Sequence, residues 1–334
     1  MQKKHIVRYE ACTPLLSFAA ALVVLGWLVR SRWARLALDH PGRRSLHHVP
    51  IPRVGGIGVL AGVAIAFTAA GADTVSRLLP GLLLVAAVSL ADDLRGMRVG
   101  VRFAVHLAAA GTLAAGAVYS AFGLGATLLV MLAAAWMINL YNFMDGSDGL
   151  AGGMALFGFS FYGLAAWLAD GEAFALLNFG IAAAAAAFLF FNFHPARVFL
   201  GDVGSVPLGF LAAATGLIGW ERQFWPWWFP LLVFSPFIVD SSVTLVRRLL
   251  RRERVWQGHL DHYYQRLIRM GWGHRNTALA EYALMFVCGI TALAALSAGH
   301  TGQIVVLAAF VLAYVTLARA VDRAWSRFDA GASA

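Results

Sequence analysis

Charge is what this chain has least of. Only 13% of its 334 residues are Asp, Glu, Lys or Arg, against roughly 25% in a soluble domain. Lysine is almost absent: Lys3 and Lys4 stand alone, ahead of the first apolar run. A phosphate-binding loop ending in Gly-Lys-Ser/Thr is therefore excluded. No G-x-S-x-G nucleophile elbow and no G-x-G-x-x-G turn occurs, which removes the hydrolase and dinucleotide-binding signatures. Cys12 and Cys288 are the only cysteines, so there is neither a disulfide framework nor a thiolate metal site. The alternation of a β-barrel is missing, as are an internal repeat and a low-complexity linker. A single domain over residues 1–334 is expected.

What is present is apolar. The composition is 60% hydrophobic and the mean hydropathy is +0.71. Apolar runs occur at 14–29, 54–71, 76–91, 103–119, 124–141, 151–169, 173–191, 205–220, 227–246, 277–298 and 303–318. These predict an all-α, polytopic membrane bundle of about eleven spans. Of the 26 basic residues, all but Lys3, Lys4, Arg8, Arg77 and Arg222 fall after odd-numbered runs or in the C-terminal tail. The positive-inside rule then places the N-terminus outside and the C-terminus in the cytoplasm. The same asymmetry accounts for the net charge of +9 without a nucleic-acid partner.

The polar clusters sort with the arginines. Arg53-Val-Gly-Gly, Asp92-Asp93, Asn139 to Gly153, Asn192 to Ser205 and His259-Leu-Asp-His262 all follow odd-numbered runs. Loop polarity scattered at random would not share one face. Asp92 and Asp93 stand at a helix C-terminus, where the macrodipole disfavours anions. They call for a compensating cation, either a nearby arginine or Mg²⁺. Asn139, Asn142, Asp145 and Asp148 recur every three residues, a spacing that lines one wall of a pocket; a plain turn would explain one or two of them. Gly201 lets backbone approach a ligand beside Asp202, and Ser205 can cap the helix that follows. His259 and His262 lie among arginines, which favours anion recognition over zinc, since no third ligand is evident. The arginine run Arg247 to Arg254 also suits anionic membrane lipid.

These motifs resemble the polyprenyl-phosphate N-acetylhexosamine-1-phosphate transferases, the WecA-like branch of the superfamily that includes MraY. The resemblance rests on PIPRVGG (50–56), ADD (91–93), NLYNFMDGSDGLAGG (139–153), NFHPARVFLGDVGS (192–205) and HLDH (259–262). It implies transfer of a sugar 1-phosphate from a UDP-N-acetylhexosamine to undecaprenyl phosphate at the cytoplasmic face of the bacterial inner membrane, releasing UMP. By that resemblance Asp202 holds Mg²⁺, or Mn²⁺ in its place, against the diphosphate. Asp92 and Asp93 sit beside the lipid phosphate and one accepts its proton, with Asp92 favoured. Asn142, Asp145, Asp148 and Asn192 shape the nucleotide–metal pocket, and Arg53, His259 and His262 contact phosphate or sugar. The resemblance also leaves room for a homodimer.

Two positions depart from the family pattern: Ile51 replaces the usual Thr before Pro-Arg, and Asp261 interrupts the histidine cluster. The string HLDHYYQRL leans toward initiators of O-antigen and other surface polysaccharides. It leans away from the phospho-N-acetylmuramoyl-pentapeptide transferases of peptidoglycan synthesis. A transporter or lipid flippase is the alternative from another class, but it needs ionisable groups near the bilayer midplane, and most of the runs lack them.

Overall fold

A computed structural model describes residues 10–35, 37–42, 45–47, 49–254 and 257–332. Lys3, Lys4, Arg8, Arg43 and Arg44, used above for orientation, lie outside them. The elements are α1 (Thr13–Arg30), β1 (Leu38–Asp39), β2 (Ile51–Pro52), α2 (Gly55–Ala66), α3 (Ala72–Arg95), α4 (Val99–Phe143) and α5 (Leu150–Leu168). Then come α6 (Glu172–Asn192), α7 (Asp202–Glu221), α8 (Trp228–Val233), α9 (Ser235–Leu250), α10 (Tyr263–Leu267), α11 (Gly273–Leu296) and α12 (His300–Ala332). Eight helices among the described residues are long and apolar enough to cross a membrane. The all-α expectation holds: the strands form only a two-residue antiparallel pair, Leu38 opposite Pro52 and Asp39 opposite Ile51.

Each of the eleven apolar runs falls on a helix or part of one; the runs at 103–119 and 124–141 remain two spans within one continuous element, and two other runs depart in detail. The runs at 103–119 and 124–141 form one 45-residue helix, α4. Straight, it would measure about 68 Å, twice the roughly 30 Å of bilayer hydrocarbon. It is not straight. Gly123 has φ +74° and ψ −174°, and His106 Nδ1 meets Asn139 Oδ1 at 3.2 Å. Residues 33 apart can touch only if the helix folds back, so α4 is a hairpin of two spans. The run at 54–71 gives only the 12 helical residues of α2, about 18 Å, and turns over 67–70 carry it on from the Arg53 end of the bundle toward the Arg77 end. The run at 227–246 breaks between α8 and α9, where Pro236 sits in the first turn of α9 and lacks the N–H to continue a helix.

Close approach in the centre relies on small residues, as in other membrane bundles. A Cβ on Gly56 would lie 2.3 Å from the Gly204 nitrogen, and one on Gly81 would lie 2.4 Å from the Phe210 ring. Around them pack Tyr141, Tyr162, Phe159, Phe188, Phe229 and Phe237, all buried. Helix α7 is the most enclosed of the spans, whereas α12 faces outward along its length.

One pairing positions the chemistry. Helices α3 and α7 are antiparallel and held at both ends. At one end Arg77 forks onto Glu221 and Arg222 Nη2 donates to Asp73 Oδ2 and Thr74 Oγ1 at 2.8 Å each. At the other, Asp93 meets the first residues of α7. The segment before α7 pairs with the start of α2: Phe199 N–H donates to the Pro52 carbonyl at 2.8 Å, and Gly56 N–H to the Leu200 carbonyl at 2.8 Å. Arg53, Asp92, Asp93 and Asp202 are thereby brought to one end of the bundle.

Candidate active site

Asp93 is the N-cap of a helix it does not belong to. Its oxygens accept from the backbone N–H of Asp202 at 3.2 Å and of Val203 at 2.9 Å, where the macrodipole favours an anion. Gly201, at φ +73°, makes this possible: a Cβ there would lie 3.0 Å from Asp93 Oδ2 and from the Arg53 carbonyl. Asp93→Ala should therefore destabilise the fold by about 1 kcal/mol, the usual cost of a lost cap, read as a fall in Tm in detergent.

Asp92 faces the other way. It accepts from the Met97 N–H and pairs with Arg102, whose Nη1 also reaches Asp202 Oδ2 at 2.8 Å. Arg102, counted only as a loop arginine in the sequence, is thus the central cation of the site. No motif marks it; it lies ten residues beyond Asp92 and is brought back by the turn between α3 and α4.

Asp145 lies in the loop after α4. Desolvation, followed by the charges of Asp202, Asp93 and Asp39, holds its carboxyl well above the ordinary carboxylate range. Its side chain has no hydrogen-bond partner among the described residues. Because the folded state binds this proton more tightly than the unfolded chain does, Asp145 costs stability as pH rises above about 4. Asp145→Asn should raise Tm in EDTA at pH 7–8, with the gain disappearing near pH 4. A Tm gain that is independent of pH would contradict this account.

The expected single wall does not form. Asn142, Asp145 and Asp148 line a polar cavity of 190 Å³ together with Arg53, Asn192, Gly201 and Asp202. Asn139 lines a different cavity of 780 Å³, mostly apolar, with Arg102, His259 and His262. The reason is that the helix persists to Phe143 and then turns, so Asn139 lies a turn deeper, beside His106. Asp148 lines the polar cavity, but its Oδ2 is taken by His194 Nδ1 at 2.6 Å and Ala196 N–H at 3.1 Å. Asn192 braces the loops, accepting from Gly149 N–H and donating to the Val198 carbonyl, each at 2.9 Å. Ser205 is not a cap: α7 begins at Asp202, and Ser205 Oγ bonds back to the Gly201 carbonyl at 3.1 Å and to Asn142 Oδ1 at 3.3 Å.

The two departures from the family pattern also find places. Ile51 is 7% exposed and faces the core from β2. Asp261 pairs with Arg248, which reaches Glu253 as well. Arg247 and Arg266 both bind Asp322 of α12, so part of the arginine run is internally neutralised. Desolvation, then His262 and Arg248, push His259 down to about 4.

Other cavity residues were not legible in the sequence. His274 Nδ1 accepts from Ser147 Oγ at 3.0 Å, and its Nε2 meets the Leu46 carbonyl at 3.2 Å, tying the loop between β1 and β2 over the polar cavity. Asp39 and His47 also line it.

The two cavities are back to back. Gln265 lines both, and the 2.8 Å pair of Arg102 with Asp202 joins a residue of one to a residue of the other. Among the described residues no three His, Cys, Asp or Glu side chains form a complete metal shell. A hard cation such as Mg²⁺ needs only one or two carboxylates plus phosphate oxygens. Asp202, with Asp145 beside it short of any cationic partner, fits that requirement.

Residues 76–219 match the sequence profile described as glycosyl transferase family 4. The chain is 30% identical over 361 residues to a decaprenyl-phosphate N-acetylglucosaminephosphotransferase of Mycolicibacterium smegmatis, covering 91% of this chain and 87% of that one. It is 29% identical over 280 residues to a probable undecaprenyl-phosphate N-acetylglucosaminyl 1-phosphate transferase of Bacillus subtilis, covering 78% of each. A similarly named transferase of Yersinia pestis is 27% identical over 86% of this chain and 85% of its own length.

Proposed function

Because this chain belongs to glycosyl transferase family 4, we propose that it transfers an N-acetylhexosamine 1-phosphate, N-acetylglucosamine 1-phosphate first among them, from a UDP-sugar to undecaprenyl phosphate with release of UMP. The observation that carries this is the pair of cavities meeting at Arg102 and Asp202. One is polar and acidic, and suits the metal-bound diphosphate of the donor. The other is an apolar groove between α4 and α9, with Arg102 at its polar end, and suits a lipid phosphate and its chain. At 190 Å³ the polar cavity is smaller than the roughly 300–1,000 Å³ of ligand pockets. It has room for the diphosphate but not for the whole nucleotide sugar.

Mg²⁺ would be held by Asp202 with Asp145 nearby, and would supply charge neutralisation at the diphosphate. The protein's own groups do the rest. Arg102 draws the lipid phosphate to the boundary between the cavities. Asp93 fixes the start of α7, and with it Asp202. The apolar groove orients the acceptor so that attack and departure are in line, and such positioning supplies much of the rate in phosphoryl-type transfers.

The test is direct. Purified protein, undecaprenyl phosphate, Mg²⁺ and UDP-N-acetylglucosamine should release UMP, and EDTA should stop it reversibly. No UMP from any of a panel of UDP-N-acetylhexosamines would overturn the assignment.

The same proposal puts the site on the cytoplasmic side of a bacterial inner membrane; the basic residues from Arg247 to Arg254 support it, since Arg248 pairs with Asp261 beside His259 and His262. Reporter fusions after Gly331 and beside Arg254 should both read as cytoplasmic. A periplasmic reading at either would overturn the orientation. Surface-polysaccharide initiation and a homodimer belong to the same proposal.

A further inference from the structure

Asp240, on α9, is 6% exposed. A charge buried this deeply is costly unless its lone pairs are used, and here they are. Oδ1 accepts from the backbone N–H of Tyr263 at 2.9 Å, from Thr244 Oγ1 at 3.2 Å and from His262 Nδ1 at 3.1 Å; Oδ2 accepts from the Tyr264 N–H at 3.1 Å. The two backbone donors open α10, so Asp240 caps that helix from a neighbouring element.

The bond to His262 has a second consequence. An ionised carboxylate can only accept, so the shared proton resides on Nδ1. The ring also faces the Gln265 backbone N–H in a capping-box arrangement, and accepting that proton would favour the opposite tautomer. The charge-assisted bond to a buried carboxylate is the stronger of the two. Nε2 is then left with its lone pair, and it makes no hydrogen bond among the described residues. His262 lines the larger cavity with Arg102 and is flanked by the rings of Phe143, His259 and Tyr264, which hold its plane.

We propose that Asp240 is a positioning residue for the transfer: it fixes His262 as the Nδ1–H tautomer and leaves Nε2 to meet the acceptor phosphate. This rests on the reading of the larger cavity as the acceptor groove. A phosphate monoester has its second pKa near 6, so part of it arrives as the monoanion. Its O–H bond breaks as an N–H bond forms at Nε2. The dianion left behind is the nucleophile, and Asp240 stabilises the imidazolium that holds it. Asp92 is less free for this role, because the Met97 N–H and Arg102 already engage it.

The experiment is ¹⁵N-histidine NMR on the full chain in detergent without substrates, with His262→Gln to identify the signal. The expected result is an Nδ1–H tautomer in the wild type that is lost in Asp240→Asn and kept in Asp240→Glu. In the release assay Asp240→Asn should lower kcat roughly 10–100-fold, as loss of a supporting partner does elsewhere. The KM for UDP-N-acetylglucosamine should hold, and Asp240→Glu should recover part of the loss. An Nε2–H tautomer in the wild type overturns the proposal, and so does an unchanged tautomer in folded Asp240→Asn. If Asp240→Asn does not fold, the wild-type tautomer and the Asp240→Glu kinetics decide. If the wild type releases no UMP, the transfer role falls with the function itself, while the tautomer still reports whether Asp240 orients His262.

Discussion

Asp202→Asn should lower kcat for UMP release by at least about 100-fold, since charge stabilisation by a catalytic metal is worth several kcal/mol and each 1.4 kcal/mol is about tenfold in rate. Asparagine keeps the shape and can still accept a hydrogen bond, but it brings no charge to a cation. The backbone N–H of residue 202 still donates to Asp93, so α7 should begin where it does now. The measurement is kcat beside a Tm in EDTA, which separates lost chemistry from lost fold. A folded Asp202→Asn protein with near-normal turnover would remove the metal from this carboxylate and move it to Asp145 or Asp92.

Arg102→Ala should produce two effects of opposite sign. Arg102 is paired with both Asp92 and Asp202, so it competes with any cation for Asp202. Its removal should lower the Mg²⁺ midpoint. It should also raise the KM for undecaprenyl phosphate by roughly 10–100-fold, because a hydrogen bond to a charged group is worth about 1.5–3 kcal/mol. Arg102→Lys should fall between, since a lysine offers a point charge and not a fork. A Mg²⁺ midpoint that rises instead would mean that Arg102 supports the metal site rather than contesting it.

The departures in the fold share one cause. Apolar runs report where a helix is stable in lipid, but not how the chain turns between helices. Gly123 turns the chain between the runs at 103–119 and 124–141 without a polar loop, and the two spans read from the sequence stand as a hairpin. The run holding α2 reads as one helix because it is apolar, yet the helix stops at Ala66, and Gly56 serves close contact with Gly204. Asn139 matched the three-residue spacing of Asn142, Asp145 and Asp148, but spacing along a chain cannot tell which side of a helix end faces which cavity.

Composition and patterning alone determined that the chain is a helical membrane protein with its polar motifs gathered on one face. They did so because hydrophobic length and arginine placement are local properties, readable residue by residue. The motifs also singled out the carboxylates that the structure gathers around Arg102 and the polar cavity, because a site for two anionic reactants calls for carboxylates near a cation. The tertiary structure alone decided how those carboxylates divide: Asp93 as a cap, Asp202 facing Arg102, Asp145 among like charges, Asp148 bound to His194. It alone produced Arg102, Asp240 and His274 as members of the site. Their roles depend on partners 22 to 228 residues away or on turns that reverse the chain, and a pairwise distance in space leaves no trace in any single stretch of sequence.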